Sequence, residues 1–164
     1  MAFDALVMDY SGVLTDGPGL LELVRRVRST GTPTALVTDA DTVPDACAAA
    51  FDLVVLGSMP GARKPDPDLY RLVAARLGVP VAGCVVVDDH VRNVRGARAA
   101  GAVVVHHQDE ATTVDELSVL FDVPAGQGGP TPALPGRGHL VVVSGQVSVA
   151  AVGVVVLGSS AVVH

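Results

Sequence analysis

Short apolar runs rich in Val, Ala and Leu recur five times before residue 106, and a segment with helical spacing lies between successive runs. Continuous apolar strands that alternate with helices are typical of parallel sheets covered on both faces. Right-handed crossovers place the helices on the two faces. We therefore predict an α/β fold, a three-layer doubly wound (Rossmann-like) sheet of five parallel strands. The strands are expected at 5–8, 35–38, 53–56, 85–87 and 102–105, and the helices at 20–28, from near 41, and at 66–77, 92–100 and 114–121.

The composition of the chain changes after residue 123. Residues 124–139 are rich in Pro and Gly and lack apolar periodicity, which predicts a linker. Residues 140–164 contain no Asp, Glu, Lys or Arg and are dominated by Val. A membrane-spanning helix needs about 20 such residues, but Gln146 lies within the segment and no basic cluster flanks it, so we favour a β or irregular tail. The predicted organisation is a domain at 1–123, a linker at 124–139 and an apolar tail at 140–164.

Net charge, cysteine content and the N-terminal residues indicate which partners and which location to expect. A net charge of −6 argues against a nucleic-acid surface, because phosphate backbones require clustered Lys and Arg. Cys47 and Cys84 lie far apart in apolar runs and are expected to be buried free thiols. The N-terminus lacks a basic region and soon reaches Asp4 and Asp9, which is unlike a secretory signal. We expect a cytoplasmic protein without a nucleic-acid partner.

Polar side chains stand where four of the five predicted strands end, or in the loop that follows. They are Asp9 after the first strand, Thr38-Asp39 at the second, Lys64 after the third, and Asp88-Asp89 with Asn93 at the fourth. The carboxyl ends of parallel strands share one edge of the sheet, where ligands bind. Carboxylates brought together there repel one another unless a hard cation lies among them, and Mg²⁺ suits oxygen ligands. A hydroxyl at a helix N-terminus and the chain's only lysine can hold phosphate oxygens. The pattern predicts a site for a phosphoryl group and a divalent cation.

Over residues 5–121 these motifs resemble the haloacid dehalogenase-like (HAD) phosphohydrolase superfamily. The resemblance rests on Asp9 with Gly12-Val13-Leu14, on Thr38, on Lys64-Pro65-Asp66-Pro67, and on Asp88-Asp89 with Asn93 and Gly96-Ala97. It implies that Asp9 is a nucleophile that forms an aspartyl-phosphate, which water then cleaves. It also implies a Mg²⁺ ion held by Asp9, the backbone carbonyl of Ser11 and the acidic pair, with Asp89 a direct ligand and Asp88 direct or bound through water.

The resemblance implies further that Thr38 and Lys64 hold the phosphoryl group and that Asn93 orients the acidic pair. Two positions depart from the usual family pattern. Ser11 stands where these phosphatases place a second Asp as general acid and base, a contribution of about 10²–10⁴-fold. Asp39 stands beside the phosphate site where an amide is usual, and an added anion weakens phosphate binding unless it faces away or meets a cation. We therefore expect slow turnover, or turnover limited to good leaving groups.

The intervals between these motifs are short. Only a helix separates Asp9 from Thr38, and the stretch from Thr38 to Lys64 is also brief. Neither interval has room for the cap domain with which family members enclose small substrates, so the resemblance implies an open site with no cap domain. Such a site suits a bulky or macromolecular phosphoester, or a lid supplied by a second copy in a homo-oligomer.

Two other functions stay open. One is a catalytically impaired module that binds metal and phosphate and acts through a partner, which Ser11 favours. The other is a dehalogenase, which also uses an aspartate nucleophile but needs no Mg²⁺ and relies on an enclosed apolar pocket. His106 and His107 end the fifth predicted strand and are not assigned to the site, whereas Asp16 is expected to cap the next helix or to border the site entrance.

Overall fold

A computed structural model describes residues 2–59, 61–126, 139–143, 146–151 and 154–155. In chain order its elements are β1 (Ala5–Met8), α1 (Gly19–Ser29), β2 (Thr34–Thr38), α2 (Asp45–Ala48), β3 (Leu53–Leu56), β4 (Ser58–Met59), β5 (Ala62–Arg63), α3 (Pro67–Leu77), β6 (Cys84–Asp88), α4 (Val91–Ala100), β7 (Val103–His106), α5 (Glu110–Phe121), β8 (His139–Val143), β9 (Gln146–Ala151) and β10 (Val154–Val155).

Most of the strands form one sheet in the order β10-β9-β8-β3-β2-β1-β6-β7. The pairs from β8 through β3, β2, β1 and β6 to β7 are all parallel, whereas β9 and β10 are added antiparallel. The predicted fold class, a doubly wound α/β sheet, is confirmed. The sheet is larger than the five strands expected, because β8 supplies a sixth parallel strand.

The central position of β1 determines where its last residues lie. β1 is hydrogen-bonded to β2 on one side and to β6 on the other, with Met8 in register with Leu36 and Val87. The next amide, that of Asp9, still donates to the carbonyl of Val87 at 3.0 Å. The register therefore brings the side chains that follow β1 and end β6 to one edge of the sheet.

Two apolar layers cover the sheet, because strand side chains alternate between its faces. Leu6 and Val54 belong to the core that α1 and α5 cover. Val7 and Val55 belong to the core on the opposite face, beneath α3 and α4. Both faces need apolar side chains, which explains why the strands are continuous apolar runs.

The helix ends follow local chemistry, with one correction. The Asp66 carboxylate accepts from the amide of Asp68 at 2.8 Å and caps α3, and Gly78 ends that helix at φ 74°. The helix predicted to open near 41–44 is wrong in position, because α2 begins only at Asp45. Pro44 takes an extended conformation with ψ 142° ahead of that helix, and a residue before proline, here Val43, is disfavoured in the helical region.

The part of the predicted tail that the structure describes is β structure. β8 pairs with β3, with Leu53 opposite Leu140, and the amide of Leu140 donates to the carbonyl of Asp52 at 2.8 Å. Residues 127–138 of the predicted linker lie outside the described residues, and the division into domain, linker and tail stays a prediction. Within the described ranges, no helix combines the length and the apolar character needed to cross a membrane.

Candidate active site

Three charged side chains meet where β1 and β6 end. The ammonium of Lys64 lies 2.9 Å from Oδ1 of Asp9 and 2.8 Å from Oδ2 of Asp88. All three side chains are buried, with exposures of 4%, 7% and 1%. One lysine between two buried carboxylates leaves the group with a net negative charge. The structure thus brings together predicted residues from the loop after β1, the loop before α3 and the last position of β6.

Asp9 is held at one of its oxygens. Oδ1 accepts from the amide of Tyr10 at 2.8 Å in addition to the Lys64 ion pair. Burial raises the pKa of Asp9 above its ordinary value, the Lys64 charge lowers it, and the Asp88 charge raises it further. No donor in the described part of the chain is hydrogen-bonded to Oδ2, which leaves that oxygen available to a substrate or a cation.

Asp88 is surrounded by donors. Its Oδ1 accepts from the amide of His90 at 2.9 Å, and the Asn93 amide group lies 3.2 Å from Oδ1 and 3.1 Å from Oδ2. The Tyr70 hydroxyl in turn donates to the carbonyl of Asn93 at 3.3 Å. Asp88 is therefore held by Lys64, by the backbone amide of His90 and by the Asn93 side chain of α4, whose backbone carbonyl Tyr70 of α3 contacts.

Asp89, in contrast to Asp88, has a carboxylate oxygen without a hydrogen-bond donor. Its Oδ1 is buried and accepts no hydrogen bond, and Nε2 of the exposed His90 lies 4.0 Å away. Oxygen atoms of Asp9, Asp88 and Asp89 lie within 4.8 Å of one another. An unpartnered buried carboxylate oxygen is costly unless a cation compensates it. These residues fit a hard divalent cation such as Mg²⁺, for which carboxylate oxygens are suitable ligands.

Two glycines let the loops approach this closely. Gly12 has φ +76°, and a Cβ atom there would collide with the Asp89 carboxylate. Gly96 lies in α4, and a Cβ atom there would collide with the carbonyl oxygen of Pro65. The first glycine brings the loop after β1 against the acidic pair, and the second brings α4 against the loop that carries Lys64.

The remaining predicted residues lie around this centre. Thr38 is buried at the end of β2, and its Oγ1 accepts from the amide of Ala40 at 3.1 Å, so its own hydroxyl proton stays available to an anion. Ser11 and Asp39 are exposed. Among the described residues Asp39 forms no ion pair, with Arg63 or with any other cation.

Tyr70, His106 and Asp16 make contacts that the sequence did not predict. Tyr70 reads in the sequence as one apolar position of α3, and nothing there shows that its hydroxyl supports Asn93. His106 donates from Nε2 to the carbonyl of Asp89 at 2.9 Å. Asp16 was expected to cap the next helix or to border the site entrance. The first alternative is wrong, because α1 has no side-chain cap, and the Asp16 carboxylate pairs with His107.

Known proteins resemble the chain in sequence and in structure. The family model of the haloacid dehalogenase-like hydrolases matches residues 14–101. Protein CbbY of Rhodobacter capsulatus is 31% identical over 129 residues, which are 72% of this chain and 57% of that protein. Phosphatase MT3486 of Mycobacterium tuberculosis (strain CDC 1551 / Oshkosh) is 38% identical over 109 residues, which are 61% and 50% of the two chains. The chain spans about half the length of the curated relatives it matches.

A solved structure matches about three quarters of the chain. An uncharacterized protein from Corynebacterium glutamicum ATCC 13032 superposes with a TM-score of 0.67 at 28% identity, over 77% of this chain and 100% of that one. The family match spans Thr38, Lys64 and the acidic pair and begins after Asp9.

Proposed function

The chain belongs to the haloacid dehalogenase-like hydrolase family, and from that membership we propose that it is a Mg²⁺-dependent phosphatase acting through an aspartyl-phosphate on Asp9. One observation carries the proposal. The buried Asp9 carboxylate is paired with Lys64 beside an Asp89 oxygen that is buried without a hydrogen bond. This combination suits a nucleophile that works next to a cation.

The proposed reaction has two displacements. The Asp9 carboxylate attacks phosphorus, and the bond from phosphorus to the leaving-group oxygen breaks as that oxygen takes a proton from water. A water molecule then attacks the phosphorus of the aspartyl-phosphate, which releases inorganic phosphate and restores the carboxylate. Lys64 and the Thr38 hydroxyl would hold the phosphoryl oxygens in both steps.

Asp88 and Asp89 differ in how many hydrogen bonds they accept, and this difference suggests different roles for them. Asp88 already accepts from three protein donors, whereas Asp89 has an oxygen without one. We therefore assign Asp89 as a direct metal ligand and Asp88 as a ligand either direct or through water, alongside Asp9 and the carbonyl of Ser11. Asn93 would orient Asp88. When bound, Mg²⁺ would neutralise charge on the phosphoryl group.

Ser11 limits the proposed rate. A serine hydroxyl is too weak an acid to protonate a departing alkoxide, and general acid–base help is worth about 10²–10⁴-fold. The proposal therefore predicts slow turnover, or turnover of phosphoesters whose leaving groups need no acid.

The proposed substrate is a phosphorylated molecule that an open site admits, either a bulky small molecule or a macromolecule, with a second copy of the chain as a candidate lid. A cleft of about 660 Å³ beside the Lys64 loop, lined in part by Met59, Ala62 and Arg63, offers space and one cation for the group beyond the phosphate. The two buried free thiols, Cys47 and Cys84, suit a reducing compartment, so we propose the cytoplasm as its location.

The test is hydrolysis of an activated aryl phosphate with and without a chelator. We expect turnover that requires Mg²⁺ and is abolished in Asp9→Asn. The exposed Asp115→Asn, on the solvent side of α5, is the matched control and should retain wild-type activity. An active Asp9→Asn protein would contradict the proposal.

Ser11→Asp separates the enzyme from the impaired binding module, which the exposed Ser11 favours. In an intact site the new carboxyl should raise turnover of substrates with poor leaving groups within the range of general acid–base help, about 10²–10⁴-fold. An unchanged rate together with Mg²⁺ and phosphate binding would favour the binding module. Chloride release from a haloacid without metal would favour the dehalogenase.

A further inference from the structure

His107 is a buried histidine with both ring nitrogens engaged. Its side chain is 1% exposed, Nδ1 lies 2.8 Å from Oγ1 of Thr113, and Nε2 lies 2.6 Å from Oδ2 of Asp16. An ionised carboxylate can only accept, so Nε2 carries a proton and donates to Asp16. In the neutral ring Nδ1 accepts from the Thr113 hydroxyl. The ring thus joins the end of β7 and α5 to a residue 91 positions away in sequence.

Asp16 ends the loop that follows Asp9, and that loop is tightly wound. The carbonyl of Tyr10 accepts from the amides of Leu14 at 2.9 Å and Thr15 at 3.3 Å. The amide of Gly12 donates to Oγ1 of Thr15 at 2.9 Å. The amide of Asp16 donates to the carbonyl of Val13 at 3.3 Å, so Asp16 belongs to the same hydrogen-bonded turn as the residues on either side of Ser11.

His107 and its neighbour His106 are also hydrogen-bonded to the acidic pair. The backbone amide of His107 donates to the carbonyl of Asp88 at 2.9 Å. The His106 ring donates to the carbonyl of Asp89 at 2.9 Å. The His106–His107 segment is therefore bonded to both carbonyls of the acidic pair and, through Asp16, to the loop after Asp9.

We propose that His107 and Asp16 are positioning residues, which set the distance between the loop after Asp9 and the acidic pair and thereby the affinity of the site for Mg²⁺. This inference rests on the proposed function, because it concerns the same metal site. The hydrogen bond from His107 to Asp16 can be removed by one side-chain change that touches no proposed ligand.

The test replaces Asp16, because its side chain is 40% exposed and its removal leaves the core intact, unlike removal of the buried His107. Asp16→Ala removes the acceptor, and Asp16→Asn keeps an amide oxygen that can still accept from Nε2. Asp115→Ala, which removes an exposed carboxylate from α5, is the matched control. Two quantities are measured: the Mg²⁺ dissociation constant by titration calorimetry with the metal alone, and amide hydrogen exchange.

We expect Asp16→Ala to raise the Mg²⁺ dissociation constant about tenfold, as loss of a group supporting metal ligands does. Exchange should quicken across residues 12–16 and stay unchanged in α3. Asp16→Asn and Asp115→Ala should behave like the wild type.

Three results would overturn the inference. An unchanged dissociation constant or unchanged loop exchange in Asp16→Ala would do so while leaving the phosphatase proposal intact. Equal weakening in Asp16→Ala and Asp16→Asn would show that the charge of Asp16, and not its hydrogen bond, matters. A wild-type protein that fails to bind Mg²⁺ would instead overturn the proposed function, and the inference with it.

Discussion

The Asp9 carboxylate, the proposed nucleophile, is destabilised in its charged form by the folded protein. Burial raises its pKa, and the single ammonium of Lys64 is shared with Asp88. A raised pKa means that the folded protein holds the proton more tightly than the unfolded chain does. The free energy of unfolding therefore falls as the pH rises from the ordinary value for Asp through the raised one, and the deficit persists above that window.

Asp9→Asn removes this deficit. In a chelator at pH 7.5, above the titration window, we expect the variant to have a higher free energy of unfolding than the wild type, because a buried charge is gone while Lys64 keeps Asp88. Urea denaturation at pH 7.5 and at a pH below 4 measures the difference, which should shrink at the lower pH. A variant less stable than the wild type at pH 7.5 would contradict this electrostatic account.

The sequence located the charged residues and, through the family resemblance, Asn93, but not the other side chains that hold them. Asp9, Lys64 and Asp88 were predictable because polar side chains at the ends of buried parallel strands share one edge of the sheet. The hydroxyl of Tyr70 and the rings of His106 and His107 were not, because the bonds that they form to Asn93, Asp89 and Asp16 span 17 to 91 positions along the chain. Neither apolar periodicity nor motif spacing carries information of that kind.

Helix α4 and the Lys64 loop illustrate how one element positions another. The closest approach is at Gly96, where α4 packs on the carbonyl of Pro65. Gly is a poor helix former, so an alanine would be favoured here if helix propensity alone decided. Close packing, and through it the position of Lys64, explains a glycine at this point of the helix.

Gly96→Ala should therefore be destabilising despite its better helix propensity. We expect the free energy of unfolding to fall by about 1–3 kcal/mol, the usual result of inserting a methyl group into a packed contact. Turnover should fall as well, because the loop carrying Lys64 is displaced. Arg95→Ala, at the exposed neighbouring position, is the control and should change neither quantity. A Gly96→Ala protein as stable as its Arg95→Ala counterpart would argue against this contact.

Among the elements, length decided what the sequence could predict. The continuous apolar run of β3 was predicted with the bounds that the structure gives it, and α3, which has helical spacing, was predicted to begin one residue too early. The β4–β5 hairpin has two residues in each strand and produces no period, so it was missed. It nevertheless leads directly into Lys64.

The sheet of the whole molecule contains more strands than the five that were predicted from the sequence. β8 pairs with β3, and a backbone bond from Leu140 to Asp52 begins the ladder. β8 also lies against β4, which precedes the Lys64 loop. Strand β8 is therefore in contact with the elements that lead into the Lys64 loop.

Leu140→Pro tests whether this strand contributes to stability. Proline lacks the amide that donates to Asp52, so we expect the free energy of unfolding to fall by at least about 1 kcal/mol, the net worth of one hydrogen bond. Leu140→Val keeps the amide and the β preference and should be close to the wild type. Equal denaturation midpoints for the two variants would mean that the pairing of β8 with β3 adds no stability.

The account depends on a phosphoryl site assembled around Asp9 and a divalent cation. Its most direct test is thermal unfolding in the presence of Mg²⁺ and beryllium fluoride. Beryllium fluoride bound to an aspartate imitates the phosphoryl group, and Mg²⁺ is the cation that would accompany it. We expect the wild-type melting temperature to rise by about 5 °C at saturating ligand. Asp9→Asn should show no rise beyond that with Mg²⁺ alone. An unmoved wild-type melting temperature, or an equal rise in Asp9→Asn, would contradict the account.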